Sequence, residues 1–287
     1  MSQLLSNATD TLGSLLSFGS DLPLRRHYFV PESIFHPAKM HLGLLQWLVG
    51  RYTQPGEVLC DPMAGSGSLL VAALSGRHVV ARDIEPRWVE IMQRNAERIT
   101  EKSGLFESML GHREIAQADA REAWHLSVDH VLCSPPYGCE MAATAHAKKN
   151  LVYRLHDIPH DHRWDRYLSR PTEGTTGMLT FHYGTHPAQI GHWRGNRYWQ
   201  AMTVVYREAW KAIRPGGLLI LVVKDHISDG QRIRTAEQTV DVCHEIGFVL
   251  HAHHQRRVYP LSLWQRRRKE QGLPVVEEED VLVLRKV

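Results

Sequence analysis

Glu57-Val58-Leu59-Cys60-Asp61-Pro62-Met63-Ala64-Gly65-Ser66-Gly67-Ser68-Leu69-Leu70 is the stretch from which the fold of this chain is read. Residues 57–61 form the short apolar run of a buried strand, 62–68 a glycine turn, and Leu69 to Leu74 resume with the pattern of a helix. Glycines after a strand let a ligand approach the backbone closely, and a following helix N-terminus offers unpaired N–H groups. Strand, glycine turn and helix in that order open an open-sheet α/β fold. A dinucleotide fingerprint would need a third glycine where Leu70 stands, and a phosphate loop would need a lysine after the last glycine. The turn therefore reads as a site for something other than a bare pyrophosphate, with Asp61 at the strand end placed to engage an ammonium group.

The same alternation continues along the chain. His78 to Arg82, Glu114 to Ala118, His130 to Cys133, Leu218 to Val223, Phe248 to Val258 and Asp280 to Leu284 read as strands. Helices are predicted over Met40 to Val49, Pro86 to Thr100, Tyr198 to Ile213 and Thr235 to Glu245, the third closed by Arg214-Pro215-Gly216-Gly217. Seven strands with intervening helices predict a doubly wound, Rossmann-like α/β sheet in residues 30–287. Residues 1–29 read as an N-terminal arm, loosely attached or forming a short packing helix. Between Gly138 and Arg197 the periodicity fails among histidines, aromatics and arginines, so 138–197 reads as an irregular insert after the fourth strand that recognises the target.

Two further places carry chemistry. Asp83 ends the second strand 22 residues after Asp61, a spacing that suits a carboxylate gripping a ribose diol. Either acid alone would be an ordinary cap, but together they point to a positively charged cofactor that bears adenosine. After the fourth strand comes Ser134-Pro135-Pro136-Tyr137. Two prolines supply no N–H, so this loop presents carbonyl oxygens, which with the Ser134 hydroxyl can accept hydrogen bonds from an exocyclic NH2. Tyr137 offers a face for a planar base. An aromatic amine is a poor nucleophile, and aligning it with an electrophilic methyl while accepting its protons lowers that barrier.

On these residues the chain resembles the S-adenosylmethionine-dependent amino-methyltransferases, which methylate exocyclic nitrogens of bases in DNA and have relatives acting on RNA guanosine. Asp61-Pro62-Met63-Ala64-Gly65-Ser66-Gly67 resembles the family's D-P-F-x-G-S-G motif, with Met63 in place of the usual Phe. Ser134-Pro135-Pro136-Tyr137 resembles the [DNS]-P-P-[YFW] catalytic motif, and His36-Pro37-Ala38-Lys39 the H-P-x-K stretch at the methionine end of the cofactor. The resemblance implies S-adenosyl-L-methionine as cofactor, Asp83 on its ribose and Asp119 on its adenine amine. Ser134 in first position is similar to the cytosine-N4 enzymes and implies DNA as partner, with adenine N6 as the other base. The cofactor motif precedes the catalytic motif, an order shared with some RNA guanosine-N2 enzymes, so RNA stays open as the alternative. A silent nucleic-acid-binding subunit is disfavoured by the intact Ser134–Tyr137 loop. A cognate restriction nuclease is a possible partner.

Composition sets the outer bounds. Of 287 residues 43% are hydrophobic and 23% charged, values that exclude a disordered or fibrous chain. The longest apolar run, Leu218 to Val223, is far short of a membrane span, no basic residue precedes Arg25, and four cysteines form no CxxC pair, so a cytoplasmic location is expected. A net charge of +3 permits a nucleic-acid partner without requiring one. His156, Asp157, His160 and His162 have feasible metal spacings, but the chemistry needs no metal and none is expected. His251, His253 and His254 straddle both faces of a strand and suit packing. Arg256, Arg257, Arg266, Arg267, Arg268 and Lys269, with Tyr259 and Trp264, form a basic run read as a phosphate-contact surface.

Overall fold

The computed structural model describes residues 15–36, 38–104, 106–137, 183–228, 230–258 and 263–287. Its strands are β1 (Leu15–Leu16), β2 (Val58–Asp61), β3 (His78–Asp83), β4 (Arg113–Gln117), β5 (Val128–Cys133), β6 (Ile213–Val223), β7 (His226–Ser228), β8 (Gln231–Ile233), β9 (Phe248–Arg257) and β10 (Glu278–Lys286). The helices are α1 (Leu22–Tyr28), α2 (Leu42–Tyr52), α3 (Pro86–Ser103), α4 (Gly195–Ala212), α5 (Thr235–Ile246) and α6 (Leu263–Glu270). Eight strands make one sheet in the order β1-β9-β10-β6-β5-β2-β3-β4, and β7 with β8 forms a separate hairpin. Strands β4, β3, β2, β5 and β6 run parallel, while β10 lies antiparallel between β6 and β9. From β2 the chain winds outward to β4, then crosses back to pair β5 on the other side of β2. The switch point therefore lies between the C-terminal ends of β2 and β5, where ligands of such sheets bind.

Strand alternation explains why both faces are covered. Leu59, Val79, Ala81, Leu132, Ile220 and Val222 join a core with α2 and α3 residues such as Leu44, Leu48, Met92 and Ile99. Their neighbours Cys60, Val80, Val131, Cys133, Leu219 and Leu221 face the opposite core with Tyr198, Val205 and Tyr206 of α4 and Cys243 of α5. Period-two strands that are apolar on both faces demand helices on both sides. No helix among the described residues is long and apolar enough to cross a membrane.

Of the two forms expected for the N-terminal arm, the short packing helix is found as α1, where Asp21 pairs with Arg25 at 2.7 Å and caps the Leu42 N–H at 3.0 Å. The sequence expectations differ from the structure elsewhere. Leu15–Leu16 of the N-terminal stretch pairs in parallel with Gln255–Arg256, giving the main sheet eight strands among the described residues. Ser68–Ser75 is a 3-10 turn rather than an α-helix, bounded by Gly67 and Gly76, both with positive φ. Gly195 to Arg197, placed by sequence at the end of the insert, form the first turn of α4, and Ile213 already belongs to β6.

Candidate functional site

The glycine turn is closed by the two strand-end acids. Asp61 Oδ1 accepts the Met63 N–H at 3.1 Å. Asp83 reaches across from β3, with Oδ2 accepting the Gly65 N–H at 2.8 Å and Oδ1 the Glu85 N–H at 2.9 Å. The Ala64 N–H donates to the Arg82 carbonyl at 2.8 Å, so β2 and β3 stay tied beyond the last strand pair. Burial pushes the Asp61 carboxyl up to about 8 and the Asp83 carboxyl up to about 6; in Asp83 the backbone N–H groups of Glu85 and Gly65 oppose that rise. Gly65 has φ +54°, and a Cβ there would meet the His36 ring at 2.4 Å, so both conformation and space exclude a side chain. Behind the turn, Asn95 of α3 donates to the Ser66 carbonyl at 2.8 Å and accepts from the Val30 N–H at 2.7 Å. The Ser66 hydroxyl itself is buried without a hydrogen-bond partner among the described residues.

His36 packs edge-on against Trp88, with ring centroids 4.6 Å apart, and its Nδ1–H donates to the Ala38 carbonyl. Burial, with Lys39 adding to it, holds the imidazole down to about 3, so it is neutral. Lys39 turns inward and donates to the His36 carbonyl, and burial with the nearby Arg25 lowers its ammonium to about 7. Pro37 lies outside the described residues.

The second loop leaves β5 beside this turn. Ser134 Oγ donates to the Val222 carbonyl at 3.1 Å and lies 3.2 Å from the Tyr137 hydroxyl. A serine has one proton, already given to Val222, so Tyr137 is the donor of that contact and Ser134 keeps one lone pair. The Tyr137 hydroxyl is enclosed, and burial raises it well above a tyrosine's usual value, while its ring stays half-buried. The Pro136 carbonyl accepts the hydroxyl of Tyr198 at 2.6 Å. Tyr198 is fully buried on α4, and this tether to the loop is invisible to local sequence reading.

The two loops share one open cleft. Of the residues singled out by sequence, His36, Pro62, Asp83, Asp119, Ser134 and Pro136 border it. Lys39, Asp61, Ala64, Gly65, Ser66, Gly67, Pro135 and Tyr137 do not border it. Asp119 is already engaged. Burial alone would raise its carboxyl, but the Arg121 side chain and backbone N–H hold it below the usual range, with Arg121 Nε at 2.9 Å from Oδ1 and Nη2 bonded to Oδ2.

Sequence reading missed Met63, Ile84, Tyr183, Gln189 and Ile190 on the same wall. The last three belong to a strap, residues 183–192, that returns from the insert and docks on the β3–α3 connection. Glu85 Oε1 accepts the His186 N–H at 2.8 Å, and the Trp88 indole N–H donates to the Tyr183 carbonyl. A Cβ on Gly184 would stand 1.8 Å from Glu85 Cδ, so only glycine passes there. An acid in Asp-Ile-Glu-Pro and a Trp three residues later were the available signals, but nothing local says what they would hold.

The basic run near the C-terminus is not one surface. Arg256 is buried and paired with Glu279 at 2.7 Å, and Lys269 is paired with Glu277 at 2.8 Å. His253 is paired with Asp280 at 2.8 Å, and His254 is buried against Tyr52. Among the described residues no group of His, Cys, Asp and Glu has a metal-holding arrangement. His156, Asp157, His160, His162 and Tyr259, the Trp264 side chain and the 138–182 part of the insert lie outside the described residues.

Residues 34–162, a little under half of the chain, match the family described as UPF0020, RMKL-like, methyltransferase domain. No sequence among curated proteins matches the chain. Solved structures share its fold at low identity. TrmN from Thermus thermophilus is 18% identical over 92% of this chain with a TM-score of 0.47, and this chain spans only 53% of it. A candidate RNA methyltransferase from Pyrococcus horikoshii is 15% identical over 86% of this chain and 83% of its own, with a TM-score of 0.46. The magnesium protoporphyrin IX methyltransferase of Synechocystis, solved with S-adenosylhomocysteine, is 13% identical over 85% and 80%, also at 0.46. The matched domain is a methyltransferase domain, and S-adenosylmethionine is the cofactor expected of it.

Proposed function

We propose that the chain is an S-adenosylmethionine-dependent methyltransferase acting on the exocyclic amino group of a nucleic-acid base, cytosine N4 in DNA above all. One observation carries this reading: the Ser-Pro-Pro loop and the acids suited to an adenosine cofactor border a single cleft. The cofactor would supply an electrophilic methyl on a sulfonium. Asp83 would accept its ribose hydroxyls, Ile84 and Met63 would flank the apolar part of the site, and Asp119 would meet the adenine edge while sharing its oxygens with Arg121. The remaining lone pair of Ser134, which borders the cleft, would accept an NH2 proton and hold the amine lone pair in line with the methyl, a role that Pro135, off the wall, does not share. Tyr198 fixes the loop through Pro136, so the acceptor needs little reorganisation when the amine arrives. The N–C bond forms as the S–C bond breaks, and the amine then loses a proton to water. A duplex base must leave its stack to reach this depth.

A second reading, guanosine N2 in RNA, is favoured by the order of the motifs, with the Asp61 turn before the Ser134 loop. Incubation with methyl-labelled S-adenosylmethionine and separate DNA and RNA pools, followed by nucleoside mass spectrometry, tests both. N4-methylcytosine is expected. N2-methylguanosine would support the second reading, and no label in any nucleoside would overturn the proposal.

A further inference from the structure

The Trp193 indole meets two guanidinium groups, Arg121 at 4.8 Å and Arg197 at 4.1 Å from the ring centroid. One arginine and the ring are tied to the cleft: Arg121 is held by Asp119 on the wall, and the Trp193 backbone N–H donates at 2.9 Å to the carbonyl of Ile190, also on the wall. Arg194 and Arg197 are exposed, and the first turn of α4, which contains Arg197, has no acid. Among the described residues no carboxylate is ion-paired with Arg197; the nearby acids are Asp119, bonded to Arg121, and Glu122, which faces Arg121.

A guanidinium stacked flat on an aromatic ring is fixed in its plane, with its N–H edges left for a planar or tetrahedral anion. Held in this way, it loses little further freedom when it binds, unlike a free surface arginine. A base seated against Ser134 carries a phosphate on each side, and those phosphates stay outside at the mouth. Near the C-terminus Arg256 and Lys269 are ion-paired with Glu279 and Glu277, as Arg121 is with Asp119, so Arg197 is the member of the stack left to meet a phosphate.

We propose that Arg121, Trp193 and Arg197 form a phosphate clamp that grips the polynucleotide backbone flanking the target base, with Arg194 alongside. The clamp rests on the nucleic-acid reading above. Fluorescence anisotropy with a fluorescein-labelled 30-nucleotide single-stranded DNA, its duplex and an RNA of the same sequence tests it, on the full chain with S-adenosylhomocysteine present. Arg197→Gln should weaken binding to the preferred probe about tenfold. It should do so equally for unrelated sequences, and lower the slope of log Kd against log salt by about one.

Trp193→Leu leaves the charge unchanged but removes the ring under Arg197, and should weaken binding comparably, whereas Trp193→Phe should restore most of it. Circular dichroism and calorimetric binding of S-adenosylhomocysteine establish that each variant is folded. If the parent binds a probe and folded Arg197→Gln and Trp193→Leu bind it with parental affinity and salt slope, the clamp is wrong and the function stands. If the parent binds none of the three probes and labels no nucleoside, the function itself falls, and the clamp with it.

Discussion

Asp83 gives the sharpest test of the cofactor site, because its carboxyl has two roles with different signatures. It closes the glycine turn through Gly65 and Glu85, and it borders the cleft where a ribose would lie. Its folded value of about 6 lies above the ordinary 3.8, so burying the anion lowers stability progressively as pH rises from about 4 to about 6, with no further loss above. A ribose diol donates to the anion, so cofactor affinity has the opposite sign: full above pH 7, and falling about tenfold per pH unit below 6. Of the other groups at the site, His36 at about 3 and Asp119 below the usual range titrate lower, and Lys39 at about 7 and Asp61 at about 8 titrate higher. Calorimetry with S-adenosylhomocysteine between pH 5 and 6, below the Lys39 and Asp61 values, therefore reports mainly on Asp83. Asp83→Asn should lower affinity at pH 7 by about 1.5–3 kcal/mol, roughly ten- to 150-fold, and abolish the dependence in that window. A flat profile in the parent, or parental affinity in a folded Asp83→Asn protein, would refute the reasoning.

Three further outcomes follow from the same geometry. Tyr137→Ala should lower turnover and base affinity together, whereas Ser134→Ala should lower turnover more than binding, and steady-state kinetics with the preferred oligonucleotide separates them. Tyr198→Phe removes the hydroxyl that holds the Pro136 carbonyl, and should lower kcat severalfold while calorimetric cofactor affinity stays at the parental value. Asn95→Ala leaves the buried Val30 N–H and Ser66 carbonyl unpaired, and should cost about 2–4 kcal/mol in urea unfolding.

What could be read in the sequence was local. The glycine turn, its two acids and the Ser-Pro-Pro-Tyr loop are each contiguous or set by one strand length, and period-two runs announced the seven longer strands. What could not be read depends on residues far apart. Leu15–Leu16 is too short for any period, and becomes a strand only by pairing with Gln255–Arg256. Arg256 looked like surface charge because it stands among other arginines, yet β9 turns His254 and Arg256 inward and the register with β10 sets Glu279 opposite Arg256. The 3-10 form of Ser68–Ser75 was hidden by an apolar pattern that suits any buried helical turn, while the glycines at its two ends limit it to eight residues.

The strap has a consequence for how the two halves of the site communicate. The chain leaves the cleft after Tyr137, whose hydroxyl bonds Ser134, and re-enters the described structure at Tyr183, whose carbonyl is bonded by Trp88. Tyr183, Gln189 and Ile190 border the space a cofactor would fill, so a ligand there touches the strap directly. Only three connections are needed to carry that contact outward: Glu85 to His186, Ile190 to Trp193, and Trp193 to the arginines on either side. Linkage requires that any affinity the docked strap lends to the cofactor is returned by the cofactor to the docking of the strap. If the proposed clamp and cofactor site hold, the two would be coupled through residues 183–192 and Trp193, and cofactor binding would shift affinity for the polynucleotide and the reverse.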